Sequence, residues 1–288
     1  MPGRAAARYV GAMTTDSASS APRLLTTHHR AEDSVLTARS LTKIFGKGDA
    51  AVTALDNVDV DIARARFTAI MGPSGSGKST LMHCLAGLDA VTSGRIMLDG
   101  DEISSMSQRR LTRLRRERIG FVFQSFNLVP TLSAEENITL PLDIARRRVD
   151  RARFDQIVGA VGLTDRLHHR PAELSGGQVQ RVACARALVG DPAVVFADEP
   201  TGNLDSHSTE QVLQILRTSV DELGQSVVMV THEPEAAAWA DTVLFLRDGR
   251  VVAQLDDPDR DRVLDALREL AAGAAPSAPS ADPTGTGA

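Results

Sequence analysis

A glycine-rich segment with one lysine and several hydroxyl side chains is the part of the sequence best suited to chemistry. Residues 72–79 read Gly-Pro-Ser-Gly-Ser-Gly-Lys-Ser, which fits the phosphate-loop spacing GxxxxGK[ST]. The glycines leave room for backbone N–H groups to close around phosphate oxygens. Lys78 is predicted to reach the β- and γ-phosphates of a nucleotide, and Ser79 to bind Mg²⁺.

Two adjacent carboxylates, Asp198 and Glu199, follow an apolar run at 193–197. A buried strand would deliver Asp198 to the carboxyl edge of a sheet, where ligands bind in such folds. At that edge Asp198 is predicted to hold Mg²⁺ through water, and Glu199 to orient or deprotonate an attacking water. An exposed acidic turn is the alternative, and the apolar run before the pair argues against it.

A second glycine pair lies in the segment Leu174-Ser-Gly-Gly-Gln178, just before an amphipathic run at 179–188. This order is typical of a helix whose first amide groups are exposed. Such helix N-termini bind anions, so the residues alone indicate a second phosphate-binding element.

These groups need a scaffold, and the hydrophobic pattern predicts one of alternating strands and helices. Strands are predicted at 35–38, 58–62, 67–71, 95–98, 119–123, 193–197 and 226–230, with a hairpin at 242–246 and 250–254 that turns at Asp248-Gly249. Helices are predicted at 78–88, 107–118, 206–221 and 258–271, and most of 133–188 is expected to be helical. The alternation implies an α/β fold with a mainly parallel core sheet.

Composition limits the class of protein. The chain has 288 residues, of which 42% are hydrophobic and 24% charged, which excludes a disulfide scaffold and a fully disordered chain. A net charge of −5 argues against a general nucleic-acid binder. No apolar run approaches the roughly 18 residues needed to cross a bilayer, so the chain is not expected to span a membrane itself. Cys84 and Cys184 are predicted to be small core residues.

Taken in order, the motifs make the sequence similar to an ATP-binding-cassette (ABC) ATPase, the nucleotide-binding subunit of an ABC transporter. Gln124 in Gly120-Phe-Val-Phe-Gln124 matches the Q-loop, and residues 174–178 match the signature motif. Asp198 and Glu199 match the Walker B pair, residues up to Asp205 include the D-loop, and His232 matches the switch histidine. Residues 120–137 and 197–206 resemble the macrolide-export, lipoprotein-release and cell-division group.

The resemblance implies a P-loop NTPase with a RecA-like core sheet, an antiparallel β part and a helical insertion lobe at about 125–189. It also implies a head-to-tail dimer that encloses ATP and Mg²⁺. Catalysis is assigned to Glu199, His232 and Gln124, and the metal to Ser79, Gln124 and Asp198. The nucleotide is assigned to one larger set, part of it acting from the second copy: Phe45, Gly72, Pro73, Ser74, Gly75, Ser76, Gly77, Lys78, Ser79, Thr80, Ser175, Gly176, Gly177, Gln178 and Asp205.

The domain limits follow from composition and from the resemblance. An Ala-, Ser- and Thr-rich extension at 1–34 and a Pro- and Ala-rich tail at 272–288 are expected to be disordered, on either side of an ATPase domain at 35–257 and a helix at 258–271. The resemblance implies an ATPase on the cytoplasmic face of the membrane that powers a separate permease. Transport, in export or in lipoprotein, peptide or drug handling, is the main expectation.

Two other functions remain open at this level. A cell-division type of ABC ATPase would transmit a mechanical signal without moving cargo, and a soluble cassette of translation or DNA repair would need no permease. The basic run at 107–118 can likewise be a solvated helix, a site for anionic headgroups or an acidic loop of a membrane partner, or, least favoured, a nucleic-acid contact.

Overall fold

Alternating strands and helices are the main feature of the computed structural model, which describes residues 33–272. The strands are β1 (Ser34–Phe45), β2 (Val52–Ala63), β3 (Phe67–Met71), β4 (Ser93–Leu98), β5 (Asp101–Glu102), β6 (Ile119–Phe123), β7 (Val194–Asp198), β8 (Val227–Val230), β9 (Thr242–Arg247) and β10 (Arg250–Asp256). The helices are α1 (Lys78–Leu85), α2 (Gln108–Arg118), α3 (Ala134–Ala145), α4 (Arg151–Ala160), α5 (Gly176–Leu188), α6 (Ser206–Asp221), α7 (Pro234–Ala237) and α8 (Arg260–Ala272).

The larger sheet has six strands in the order β10-β9-β3-β8-β7-β6. Five of them run parallel, and β10 closes one edge as the antiparallel half of a hairpin with β9. Strands β3 and β8 are buried along their whole length, as expected for a parallel sheet covered on both faces. Parallel strands end at the same edge, so the segments after β3, β6, β7 and β8 all emerge together.

A smaller antiparallel sheet, in the order β2-β1-β4-β5, faces one side of the larger sheet. Alternate side chains explain the layering. Val194 and Phe196 of β7 join the core shared with the smaller sheet, whereas Val195 and Ala197 join the core shared with the helices. The α/β class, the parallel core sheet and the separate antiparallel part are therefore confirmed.

Helices α3, α4 and α5 form the helical lobe, and each begins with a side-chain cap. Ser133 and Glu136 make a reciprocal capping box at α3, as the sequence predicts, and Asp150 caps α4. Phe154 and Ile157 of α4 are fully buried in the same core as the helix-facing side of the large sheet. The lobe is thereby packed onto the sheet through a continuous apolar core.

Several element boundaries differ from those that the sequence pattern predicts. Helix α1 ends at Leu85 rather than near Leu88, because Gly87 adopts a left-handed conformation with φ of 61° and its N–H turns back to the Cys84 carbonyl. Strand β1 continues to Phe45, since irregularities in its pairing with β2 absorb the break in the alternation. The expected disordered segments at 1–34 and 272–288 lie almost entirely outside the described residues.

Two further findings bear on the composition argument. Cys84 and Cys184 are buried and unbridged, as expected of core residues, and burial raises their thiol pKa values to about 11 and about 12. Between residues 33 and 272, no helix combines the length and the apolar character that a membrane span requires.

Candidate functional site

The phosphate loop runs from the end of β3 to the start of α1, and its glycines have separate reasons to be there. A Cβ on Gly72 would lie 2.1 Å from the Leu246 carbonyl oxygen, and one on Gly77 would lie 2.5 Å from that of Ala54. Both residues have positive φ. Gly75 also has positive φ, but a Cβ there would meet no atom within 4 Å, so this part of the loop borders open space.

The polar groups of the loop fit a phosphate. The Lys78 ammonium donates hydrogen bonds to the carbonyls of Gly72 and Pro73, both at 2.9 Å, and so lies across the loop. The Ser76 hydroxyl is buried and has no hydrogen-bond partner between residues 33 and 272. The first amide groups of α1 have no intrahelical acceptor and carry the positive end of the helix dipole. A phosphate would supply acceptors to all three.

Two carboxylates at the end of β7, two strands away from β3 in the sheet, interact with the lysine. Burial lowers the pKa of Lys78, while Glu199 and Asp198 oppose that shift. Burial raises the pKa of the Asp198 carboxyl, and the nearby His83 acts in the opposite direction. The end of β7 is therefore close enough to the phosphate loop for its two carboxylates and the lysine to interact.

Glu199 occupies a constrained position beside the predicted switch histidine. Its φ of 43° is unusual for a non-glycine residue, and its N–H donates to the Val230 carbonyl at the end of β8. Its Oε1 atom lies 3.1 Å from Nδ1 of His232, which is the second residue after that strand. The structure thus joins Glu199 and His232 directly.

Gln124 leaves the end of β6 and lies against the loop that follows Glu199. Its Nε2 atom donates to the Asn203 side chain at 3.4 Å, and the Asn203 amide donates to the Gln124 carbonyl at 3.1 Å. A Cβ on Gly202 would come within 2.7 Å of the Gln124 amide nitrogen, so the Gln124 side chain packs directly on this glycine. These contacts fix the position of Gln124 relative to the loop that follows Glu199.

The signature residues form a separate cluster at the start of α5. The Ser175 hydroxyl accepts from the Gln178 N–H, and the Gln178 side chain accepts from the Ser175 N–H at 2.9 Å, which is a capping box. Gly177 packs on Ser208 of α6, whose N-terminus Asp205 caps. Within residues 33–272, no hydrogen bond or ion pair joins 175–178 to the phosphate loop.

Phe45 lies at the end of β1 with 43% of its surface exposed. The Lys43 ammonium lies 4.6 Å from the centre of its ring and also donates to the Ala90 carbonyl at 2.6 Å. An exposed ring held on one side by a cation is a suitable platform for a planar base.

The metal-binding capacity of the site is limited. The described part of the chain has no group of three or more His, Cys, Asp or Glu side chains that could hold an ion. Mg²⁺ is commonly held by one or two protein oxygens together with substrate phosphates. The Ser79 hydroxyl, the Asp198 carboxylate and the Gln124 amide fit that kind of site.

Three residues near the site are not predicted by the sequence analysis. His83 follows Ser79 by one helical turn, and the four-residue spacing on one helix face is the signal that could have identified it. Asn203 and Gln180 make contacts with distant segments, at Gln124 and at Phe123 and Pro200, and no local pattern indicates such pairs.

Comparison with known proteins follows the same motifs. The ABC transporter family pattern matches residues 55–202. An uncharacterized ABC transporter ATP-binding protein of Thermotoga maritima is 47% identical over 213 residues, which cover 73% of this chain and 90% of that protein. The lipoprotein-releasing system ATP-binding protein LolD of Bordetella avium is 44% identical, over 75% of this chain and 95% of LolD.

Two other similarities extend the comparison. The macrolide export ATP-binding/permease protein MacB of Brucella melitensis is 46% identical over 77% of this chain, which corresponds to 34% of MacB. The dimeric post-hydrolysis structure of the ATP-binding cassette MJ0796, bound to ADP and Pi, superposes with a TM-score of 0.70 at 38% identity, covering 78% of this chain and 99% of that one. The chain therefore belongs to the ABC transporter family, as an ATP-binding cassette.

Proposed function

We propose that this cassette binds ATP with Mg²⁺, hydrolyses it between two copies of the chain, and powers a separate membrane permease. The observation that carries the proposal is the convergence at one sheet edge of the phosphate loop, the Asp198–Glu199 pair, His232 and Gln124. Four parallel strands deliver these groups to that edge, where they would surround the γ-phosphate of a bound nucleotide.

We assign to Glu199 the activation of the attacking water. Its carboxylate would accept or orient a water proton, and His232 at 3.1 Å would hold that carboxylate and contact the γ-phosphate. Lys78 would bind the β- and γ-phosphates, and Phe45 would stack on the base. Ser79, Asp198 and Gln124 would hold Mg²⁺. When bound, the ion supplies positive charge that stabilises the phosphate oxygens.

A second copy of the chain is needed to complete the site. The amides of Gly176 and Gly177, together with Ser175 and Gln178, would form a second anion-binding surface away from the phosphate loop, with Asp205 capping the adjacent helix α6. A head-to-tail pair would place this surface over the γ-phosphate held by the partner. The dimeric state of the MJ0796 cassette supports the arrangement.

An apolar groove supports a permease as the further partner. It lies between α2, β6 and the end of α3, and its exposed apolar side chains include Leu88 and Ile144, which are 42% and 57% exposed. Within the described residues, Arg109 and Arg110 at the start of α2 make no ion pair, whereas Arg118 binds Asp99 and Asp101. A cytoplasmic segment of a permease fits this surface, which would place the cassette on the inner face of the membrane.

Export or lipoprotein handling is the transport reaction we propose, because the LolD and MacB relatives are named for lipoprotein release and macrolide export. The direct test measures phosphate release by the purified chain with MgATP, alone and reconstituted with a membrane permease. Glu199→Gln should reduce turnover about 10²- to 10⁴-fold. Undiminished hydrolysis by Glu199→Gln would remove Glu199 from the proposed role.

A further inference from the structure

We infer that Gln180 is a positioning residue that fixes Gln124 and Glu199 relative to the signature helix. Gln180 lies on α5, one residue beyond the first turn that carries the signature, and its side chain is fully buried. The inference rests on the proposed function, since it concerns the alignment of the groups assigned there to hydrolysis.

The contacts of the Gln180 amide define the role. Its Nε2 atom donates to the Phe123 carbonyl at 3.3 Å and to the Pro200 carbonyl at 2.5 Å. Phe123 immediately precedes Gln124, and Pro200 immediately follows Glu199. One buried amide therefore ties the two loops that carry the proposed metal and water ligands to the helix that begins with the signature.

The oxygen of the Gln180 amide indicates that this residue does more than fill the core. The Oε1 atom of Gln180 is buried and has no hydrogen-bond partner within the described residues. A buried unpaired carbonyl destabilises a fold, and an apolar side chain of the same length would avoid that cost. We therefore assign the amide the role of positioning the Phe123 and Pro200 carbonyls, because packing alone does not account for a polar side chain here.

A second contact makes the effect of Gln180 local. Arg186, also on α5, donates to the carbonyls of Phe126 and Asn127 at 2.9 and 2.6 Å. The chain two and three residues beyond Gln124 is thus held by a separate contact. Loss of the Gln180 hydrogen bonds should shift the start of that segment, with Gln124, and leave the lobe attached.

The first test compares Gln180→Met with Gln214→Met as the matched control. Gln214 is an exposed α6 residue whose amide donates to Thr218 of the same helix. In Gln180→Met, kcat should fall about 10- to 100-fold, because small misplacements of reacting groups have effects of that size. The Mg²⁺ concentration for half-maximal activity should rise, while the Kd for Mg-free ATP stays within about twofold, since within the described residues no hydrogen bond or ion pair joins α5 to the phosphate loop.

The second test separates positioning from a general loss of stability. If Gln180 acts through Gln124, the effects of Gln180→Met and Gln124→Ala on kcat and on the Mg²⁺ requirement should not add in the double variant. Gln180→Asn, which retains the donor on a shorter side chain, should fold and recover part of the activity if Gln180→Met does not fold.

The outcomes are distinct. Wild-type kcat and Mg²⁺ dependence in a folded Gln180→Met protein, or fully additive effects in the double variant, would overturn the inference. If instead the unmodified chain with its permease hydrolyses no ATP, the proposed function fails first, and this result is visible before any Gln180 variant is measured.

Discussion

Lys78 provides the clearest prediction at the scale of single residues. Its ammonium is the only lysine nitrogen of the phosphate loop and already lies across the loop on the Gly72 and Pro73 carbonyls. Lys78→Ala should weaken ATP binding at least about tenfold, because a charge-assisted hydrogen bond contributes about 1.5–3 kcal/mol. Titration calorimetry with ATP measures this, and Lys47→Ala, at an exposed lysine before β2, is the matched control. Tight ATP binding by a folded Lys78→Ala protein would contradict the role.

Asp198 provides a pH-dependent prediction about stability. Burial raises its pKa in the folded protein, so the folded state holds the Asp198 proton more tightly than the unfolded chain does. The stability contributed by protonated Asp198 is complete below the unfolded pKa and is lost as the pH rises through the folded pKa. Asp198→Asn should therefore raise the melting temperature of the nucleotide-free protein at neutral pH, and this advantage should shrink as the pH falls toward about 3.9.

Thermal melting at several pH values measures the Asp198 effect. Asp155→Asn, at an exposed carboxylate of α4, is the control for the loss of one negative charge. A melting temperature for Asp198→Asn equal to or below that of the unmodified protein at neutral pH would show that ionised Asp198 does not strain the site.

The motif residues could be predicted because a short segment fixes each of them. Local turn and helix signals surround each of three motifs, at 72–79, 174–178 and 198–199. The residue types and spacing within each motif therefore indicate its chemistry. The pairing of Gln124 with Asn203, and of Gln180 with Pro200, could not be predicted, because the partners meet only after β6, β7 and α5 have packed. The capping box within the signature was also missed, although Ser175 and Gln178 have the required spacing.

At the scale of elements, the loop between β3 and α1 offers a matched pair of glycines. Gly77→Ala should destabilise the fold, because its Cβ would press on the Ala54 carbonyl, and main chain cannot move aside as a flexible side chain can. Gly75→Ala should fold with a melting temperature closer to that of the unmodified protein, since a Cβ there meets no atom within 4 Å. It should instead weaken ATP binding, because the space beside it is the space proposed for phosphate.

Melting curves of the two alanine variants measure their stability, and ATP titrations measure their affinity for the nucleotide. Both residues have positive φ, so backbone strain is common to both and the difference reports the surroundings. If Gly75→Ala is the less stable variant and binds ATP normally, the open side of the loop does not face the nucleotide.

The elements themselves were predictable where the pattern was continuous. Strands β3 and β6 and helix α6 are long apolar or amphipathic runs between clear breaks, and their observed bounds match the prediction. The order of the six strands could not be predicted, since pairings such as β3 with β9 join residues far apart in the sequence. The predicted end of α1, near Leu88, was wrong because the left-handed Gly87 stops the helix inside an apolar run.

At the scale of the whole molecule, the groove gives a prediction about assembly. Ile144 is 57% exposed in the groove, so Ile144→Glu should leave the fold and ATP binding intact. It should reduce co-purification with the permease at least about tenfold, since a charge would stand where the proposed complex buries an apolar side chain. Val52→Glu, at a position 63% exposed on β2, is the matched control. Equal recovery of permease with Ile144→Glu would move the docking surface away from the groove.

The ATP-dependent dimer is the central claim, and light scattering after size-exclusion chromatography of Glu199→Gln in Mg-free ATP tests it most directly. The amide keeps the shape of the side chain but accepts no proton, and it removes like-charge repulsion beside the phosphates. We therefore expect the mass of two protomers with ATP and of one protomer without it.

The partner's signature surface is tested in the same measurement. Ser175→Arg in this background should give one protomer, because a bulky side chain would occupy the position of the γ-phosphate held by the partner. Ser133→Arg, which disrupts the same kind of capping box at α3, should still dimerise. A single-protomer mass for Glu199→Gln with ATP demonstrably bound, or a dimer that survives Ser175→Arg, would contradict the head-to-tail sandwich.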